Sequence, residues 1–204
     1  LLEEPTDLIA FAQTGTGKTA AFSLPILHQL EEDVQHVQAI VLAPTRELCL
    51  QIAKDIESYA KFMDAKVTAV YGGSPISKQI KELQGRPQIV VGTPGRTLDL
   101  IERRKLRIED VQFLVLDEAD EMLSMGFQDE LDAILANTPE YKQTLCFSAT
   151  MPEGMKHLTK KYLTEPKEIS AGKRNISASN VEHELYVVSS KNTYEAMRRI
   201  LDFN

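Results

Sequence analysis

A doubly wound, mostly parallel α/β sheet is the fold this sequence predicts, and three observations predict it. Short apolar runs alternate with stretches of helical spacing along most of the chain. The runs are continuous rather than alternating, as in strands that are covered by helices on both faces. Small, basic or acidic clusters follow the runs, at the strand ends where an open parallel sheet gathers its ligands. With 204 residues, 43% of them hydrophobic, the chain can bury a full core.

The elements follow in order. Leu8-Ile9-Ala10-Phe11 is a buried strand, and residues 19–30 repeat apolar positions at helical spacing. Residues 39–43 form a second strand, which Pro44 ends. Thr45 is placed to cap a helix reaching about residue 62, with Leu48, Ile52, Ile56 and Tyr59 along one side. A third strand over 67–71 leads through the turn Gly72-Gly73-Ser74-Pro75 into a polar helix over 76–84. The strand at 88–92 runs through Thr93-Pro94-Gly95-Arg96 into a helix carrying Leu98, Leu100 and Ile101. Phe113-Leu114-Val115-Leu116 is the most uniformly apolar run and belongs in the middle of the sheet. It ends in Asp117-Glu118-Ala119-Asp120. Helices over 118–124 and 128–137 precede a strand over 143–147, which runs out into Ser148-Ala149-Thr150. A helix over 153–162 and a short strand near 167–170 complete a first domain, placed at 1–172. A small, polar linker over 173–180 follows, and a strand over 181–188 and a helix over 194–203 then begin a second domain.

Composition narrows the function classes. The net charge of −7 argues against a strong nonspecific nucleic-acid footprint, so any polyanion must be met by a few placed groups. No apolar run approaches the ~18 residues of a membrane span, and the start at Leu1 rather than Met reads as a cut end without a signal peptide. Cys49 and Cys146 are far apart in apolar settings and read as reduced core residues of an intracellular, cytoplasmic protein. His28, His36, His157 and His183 are scattered, without metal-ligand spacing.

The chemistry centres on Ala12-Gln13-Thr14-Gly15-Thr16-Gly17-Lys18-Thr19, a small-residue loop between a strand and a helix. There, successive backbone N–H groups and a helix amino terminus face a phosphate. Lys18 is placed to reach the β- and γ-phosphates, and the Thr19 hydroxyl to sit on Mg²⁺. Ala12 stands where glycine is usual, and a small residue serves there. The loop therefore predicts a nucleoside triphosphate. Asp117, ending the central strand, is the matching carboxylate for the metal, and Glu118 can orient or deprotonate the attacking water.

Six strings in order and spacing carry a resemblance: AQTGTGKT at 12–19, PTREL at 44–48, GG at 72–73, TPGR at 93–96, DEAD at 117–120 and SAT at 148–150. Over about residues 1–170 the chain resembles the first RecA-like domain of a DEAD-box RNA helicase. The resemblance implies that Lys18, Thr19, Asp117 and Glu118 bind and hydrolyse ATP with Mg²⁺, and that Asp120 hydrogen-bonds the Ser148 and Thr150 hydroxyls. It also implies that Pro44, Thr45, Arg46, Glu47, Gly72, Gly73, Thr93, Pro94, Gly95 and Arg96 meet the RNA backbone without reading sequence. The family's adenine-reading glutamine motif would precede Leu1. A second RecA-like domain would supply the arginine fingers, so this fragment is expected to be nearly inactive by itself. A non-enzymatic, ATP-gated RNA clamp or scaffold stays open beside the helicase, as does another P-loop enzyme such as a DNA helicase.

Overall fold

A computed structural model describes residues 5–13, 15–171 and 186–203. The chain divides into two compact units, Leu1–Arg174 and Asn175–Asn204. In the first unit the elements are β1 (Leu8–Ala12), α1 (Lys18–Gln29), β2 (Ala39–Leu42), α2 (Arg46–Tyr59), β3 (Val67–Val70), α3 (Ile76–Leu83) and β4 (Ile89–Gly92). They continue as α4 (Pro94–Glu102), β5 (Phe113–Leu116), α5 (Ala119–Ser124), α6 (Gln128–Ala136), β6 (Gln143–Ser148), α7 (Glu153–Tyr162) and β7 (Lys167–Ala171).

The seven strands form one sheet in the order β3-β4-β2-β5-β6-β1-β7, with every pair parallel. The strand predicted to be central, β5, is the middle one. Its register places Leu114 beside Ile40 and Thr144, and Leu116 beside Leu42 and Cys146.

Period-2 alternation divides the buried strand residues between two cores. Ile40, Leu42, Leu114 and Leu116 face a layer containing Leu100 of α4, Met122 of α5, Ile134 of α6 and Leu158 of α7. Ala39, Val41, Phe113 and Val115 face Phe22 and Ile26 of α1 and Ile52 and Ile56 of α2. Each fully buried Leu, Ile or Phe adds about 1.5–3 kcal/mol, and of the inner strands β1, β2, β4 and β5 are apolar throughout, whereas β6 carries the buried polar residues Gln143, Thr144 and Ser148. The edges differ. Val67, Thr68 and Ala69 of β3 are only half-buried, and Ile169 of β7 is exposed.

A contact with no sequence signal closes the amino-terminal end of the sheet. The buried Asp7 carboxylate accepts the Thr144 N–H at 2.6 Å and the Thr164 N–H at 2.7 Å, while its carbonyl accepts the Lys167 N–H at 2.9 Å. One residue thus ties β1 to β6 and β7.

Two predicted bounds need correction. α2 ends at Tyr59 rather than near residue 62, and Phe62 is exposed within a turn closed by the Met63 N–H on the Ala60 carbonyl. Of the strand expected over 181–188, residues 181–185 lie outside the described residues and 186–188 have no regular structure. The linker expected over 173–180 also lies outside them. In the second unit a 3₁₀ turn, Ser190–Asn192, leads into α8 (Thr193–Phe203), with Tyr194, Met197 and Leu201 exposed at helical spacing along one side.

Candidate functional site

The sheet order sorts the polar clusters along the carboxyl edge. The loops after β1, β5 and β6, three adjacent strands, carry residues 12–19, 117–120 and 148–150. The loops after β3, β4 and β2, also adjacent, carry residues 72–73, 93–96 and 44–47.

In the first group, Ala12 ends β1 and is buried, Gln13 is exposed, and Thr14 lies outside the described residues. Gly15 and Gly17 adopt φ of 76° and 83°, a region open to glycine at little cost, and a Cβ on either would meet no atom within 4 Å. The Thr16 hydroxyl donates to the Gln13 carbonyl at 2.7 Å, which tightens the turn. Gly17 is the N-cap of α1, whose start has no side-chain cap and no acidic residue in its first turn. Its orphan N–H groups and positive dipole end are therefore available to an anion. Lys18 and Thr19 follow in the first turn, half-buried.

Opposite them, Asp117 continues β5 by donating its N–H to the Leu42 carbonyl at 2.9 Å. Its carboxylate, on a residue only 2% exposed, accepts the Glu118 N–H at 3.1 Å and lies 3.5 Å from Lys18 Nζ. Lys18 Nζ is also 3.9 Å from Glu118 Oε1. Burial pushes the Asp117 carboxyl above the usual range, and the Lys18 charge opposes the rise. Glu118 is also raised, first by burial; Lys18 again opposes, and Asp117, Asp120 and Glu121 add to the rise. The helix expected over 118–124 begins one residue later: Glu118 is left-handed at φ 52°, and α5 starts at Ala119. Such a conformation costs a non-glycine residue about 1–3 kcal/mol and concentrates at functional sites.

The third corner corrects another expectation. Asp120 Oδ2 accepts both the Thr150 hydroxyl at 2.7 Å and the Thr150 N–H at 2.9 Å. Ser148 does not join them. Its hydroxyl donates instead to the Thr150 carbonyl at 2.7 Å, two residues on, where the chain turns immediately after β6. The link between the 117–120 and 148–150 segments therefore rests on Thr150.

In the second group, Pro44 is buried, Thr45 caps α2 by accepting the Leu48 N–H at 3.2 Å, and Arg46 and Glu47 are exposed. The Arg46 guanidinium stacks 4.9 Å from the centre of the Tyr71 ring. Gly72 and Gly73 are exposed just beyond. Thr93 is the N-cap of α4 without a side-chain bond, Pro94 occupies the first turn, and Gly95 and Arg96 are half-buried. Arg96 Nη2 donates to the Ser74 carbonyl at 3.1 Å, and Nη1 donates to Gln79 Oε1 at 2.8 Å.

Sequence reasoning missed Gln79. It sits on the polar helix α3 yet is only 2% exposed. The signal was faint: a glutamine at the helical position that faces the sheet, six residues after a glycine pair.

A family model described as DEAD/DEAH box helicase matches residues 1–158. The ATP-dependent RNA helicase CshA of Listeria monocytogenes is 46% identical over 199 residues, which cover 98% of this chain and 38% of that protein. The DEAD-box ATP-dependent RNA helicase CshA of Bacillus subtilis is 43% identical over 196 residues, covering 96% of this chain and 40% of that protein. The chain thus spans less than half the length of these relatives. Among solved structures, a DEAD box protein from the hyperthermophile Methanococcus jannaschii superposes with a TM-score of 0.79 at 42% identity, over 96% of this chain and 52% of that one. A hypothetical ATP-dependent RNA helicase from Sulfolobus tokodaii superposes with a TM-score of 0.75 at 40% identity, over 82% and 48%.

Proposed function

The chain belongs to the DEAD/DEAH box helicase family, and from that premise we propose that it is the Mg-ATP-binding half of an ATP-dependent RNA helicase. The observation that carries the reading is the division of the carboxyl edge: phosphate chemistry on the β5-β6-β1 side, and backbone-type contacts on the β3-β4-β2 side.

On the first side, residues 12–19 cradle the triphosphate and Lys18 neutralises its distal end. ATP would displace Lys18 from Asp117, the ion pair that now occupies the loop's mouth. The Thr19 hydroxyl and the Asp117 carboxylate would hold Mg²⁺, and a buried carboxylate facing a cation fits that task. Magnesium needs only one or two carboxylates beside phosphate and water. When bound it supplies charge neutralisation on the phosphoryl oxygens. Glu118 positions the attacking water and takes its proton, a role that suits a carboxyl held above its usual range by burial and neighbouring carboxylates. The Asp120–Thr150 link passes the state of this centre to the 148–150 segment.

On the second side, the N-termini of α2 and α4 with Arg46 and Arg96 contact phosphates rather than bases, which predicts binding without sequence preference. Hydrolysis and unwinding require a second RecA-like domain whose arginine fingers face the ATP. A finger is worth ~10³–10⁵ in turnover in related chemistry. The domain bounds at 1–172, 173–180 and 181–204 belong to the same proposal, as does a cytoplasmic location, which two buried free thiols support.

The test is ATP hydrolysis by the full-length protein with and without single-stranded RNA. RNA-stimulated turnover that vanishes in Glu118→Gln is expected. RNA binding without turnover would favour a clamp, and equal stimulation by matched DNA would remove the RNA assignment.

A further inference from the structure

One buried amide bonds Arg96 of the proposed backbone-binding surface directly and reaches Arg46 through Tyr71. Gln79 Oε1 accepts the Tyr71 N–H at 3.3 Å and Arg96 Nη1 at 2.8 Å, while Nε2 donates to the Tyr71 carbonyl at 3.1 Å. The amide therefore closes a two-bond ring with the backbone of Tyr71, the way a neighbouring strand would. Among the described residues β3 has no such neighbour on its outer side, being the edge of the sheet. Tyr71, fixed through its backbone, offers its ring to Arg46. Arg96, fixed directly, bonds onward to Ser74 beyond the glycine pair. Three loops that follow three different strands are thus joined through a single side chain.

We infer that Gln79 is the positioning residue of the RNA-backbone surface, holding Arg46 through Tyr71 and Arg96 by direct contact. The inference rests on the helicase reading above. It also changes the role of Arg96. Two of its five N–H donors are engaged inside the protein, so its first task is to brace the 72–74 loop, with the remaining donors left for phosphate. A buried amide is suited to this work. It satisfies a backbone donor and acceptor at once, and it takes a hydrogen bond from a guanidinium without the desolvation that a buried carboxylate would suffer.

Preorganisation of this kind has a recognisable kinetic signature. Losing the brace leaves the nucleotide half untouched but makes RNA binding pay for ordering three loops. In the full-length protein, Gln79→Leu is expected to raise the KM for RNA about tenfold, the equivalent of one lost hydrogen bond to a charged group. The KM for ATP and the RNA-saturated kcat stay within about twofold. Gln79→Glu keeps the acceptor for Arg96 and for the Tyr71 N–H but loses the donor to the Tyr71 carbonyl, and is expected to fall between. Arg96→Ala combined with Gln79→Leu should cost less than the sum of the two, since they act as one unit. The inference is overturned if Gln79→Leu leaves RNA KM unchanged. It is also overturned if RNA and ATP parameters fall together in both Gln79 variants, or if the pair is additive. An unmodified protein without RNA-stimulated turnover removes the helicase reading itself, and this inference with it, a result visible before any substitution is made.

Discussion

Gly92→Ala tests how tightly the sheet's carboxyl edge is built. Gly92 ends β4 immediately before Thr93, and α4 crosses it so closely that a Cβ would lie inside the Thr97 hydroxyl and 2.8 Å from Val70 Cγ2, with the Val70 carbonyl at 3.2 Å. Thr97 is fully buried in α4 and cannot swing away, and the carbonyl is backbone. Overpacking a fixed core costs ~1–3 kcal/mol, and three simultaneous contacts place this change at the upper end, about 3 kcal/mol. For a chain of this size ~2–4 °C is lost per kcal/mol, so the melting midpoint should drop by about 6–12 °C. Among the described residues the Thr97 hydroxyl has no hydrogen-bond partner, so Thr97→Ala alone should cost about 1 kcal/mol or less. Because it removes the nearest obstacle, the double variant should recover about half of the Gly92→Ala loss. Urea titration of the four proteins reads this coupling directly. A Gly92→Ala cost below about 0.5 kcal/mol, or strict additivity, would refute the close-approach reasoning.

The other expectations concern single contacts. Thr150→Val removes the hydroxyl that Asp120 accepts but keeps the N–H, and should lower stability by about 1 kcal/mol in urea, whereas Ser148→Ala should leave the Asp120 link intact. Thr45→Ala deletes the cap on α2 and should cost about 1 kcal/mol, seen as a lower urea midpoint with an unchanged slope. Burial pushes the Cys49 and Cys146 thiols from 9.0 up to about 12. The folded state then holds these protons more tightly than the unfolded state, so stability is present below pH 9 and is lost between about pH 9 and pH 12. The loss is about 1 kcal/mol per thiol by pH 10. Cys49→Ala and Cys146→Ala should flatten the alkaline limb of a stability-versus-pH curve, and an unchanged limb would contradict the burial argument.

What was legible in the sequence is what short-range chemistry dictates. The run 113–116 announced the middle strand because four consecutive apolar residues suit a strand covered on both faces, and Thr45 announced a cap because its hydroxyl serves the next turn. Gly15 and Gly17 announced the tight loop after β1 because left-handed backbone favours them. The rest depends on what folding brings together. Sheet order separates the two halves of the carboxyl edge, yet no local pattern encodes it. Asp7 binds segments more than a hundred residues away, and Gln79 looks like one more polar residue on a polar helix until α3 is laid against β3. The Ser148 hydroxyl depended on the path of a turn two residues long. The left-handed backbone of Glu118 is the opposite of what a carboxylate at a helix start suggests.

The division of the carboxyl edge is tested most directly by steady-state ATPase of the full-length protein, titrated separately with ATP and with single-stranded RNA, for Lys18→Ala and Arg46→Ala. Lys18→Ala should abolish saturable ATP use while RNA is still bound. Arg46→Ala should raise the KM for RNA about tenfold and leave the KM for ATP unchanged. Lys18→Ala with normal ATP turnover, or Arg46→Ala weakening ATP and RNA equally, would contradict the account.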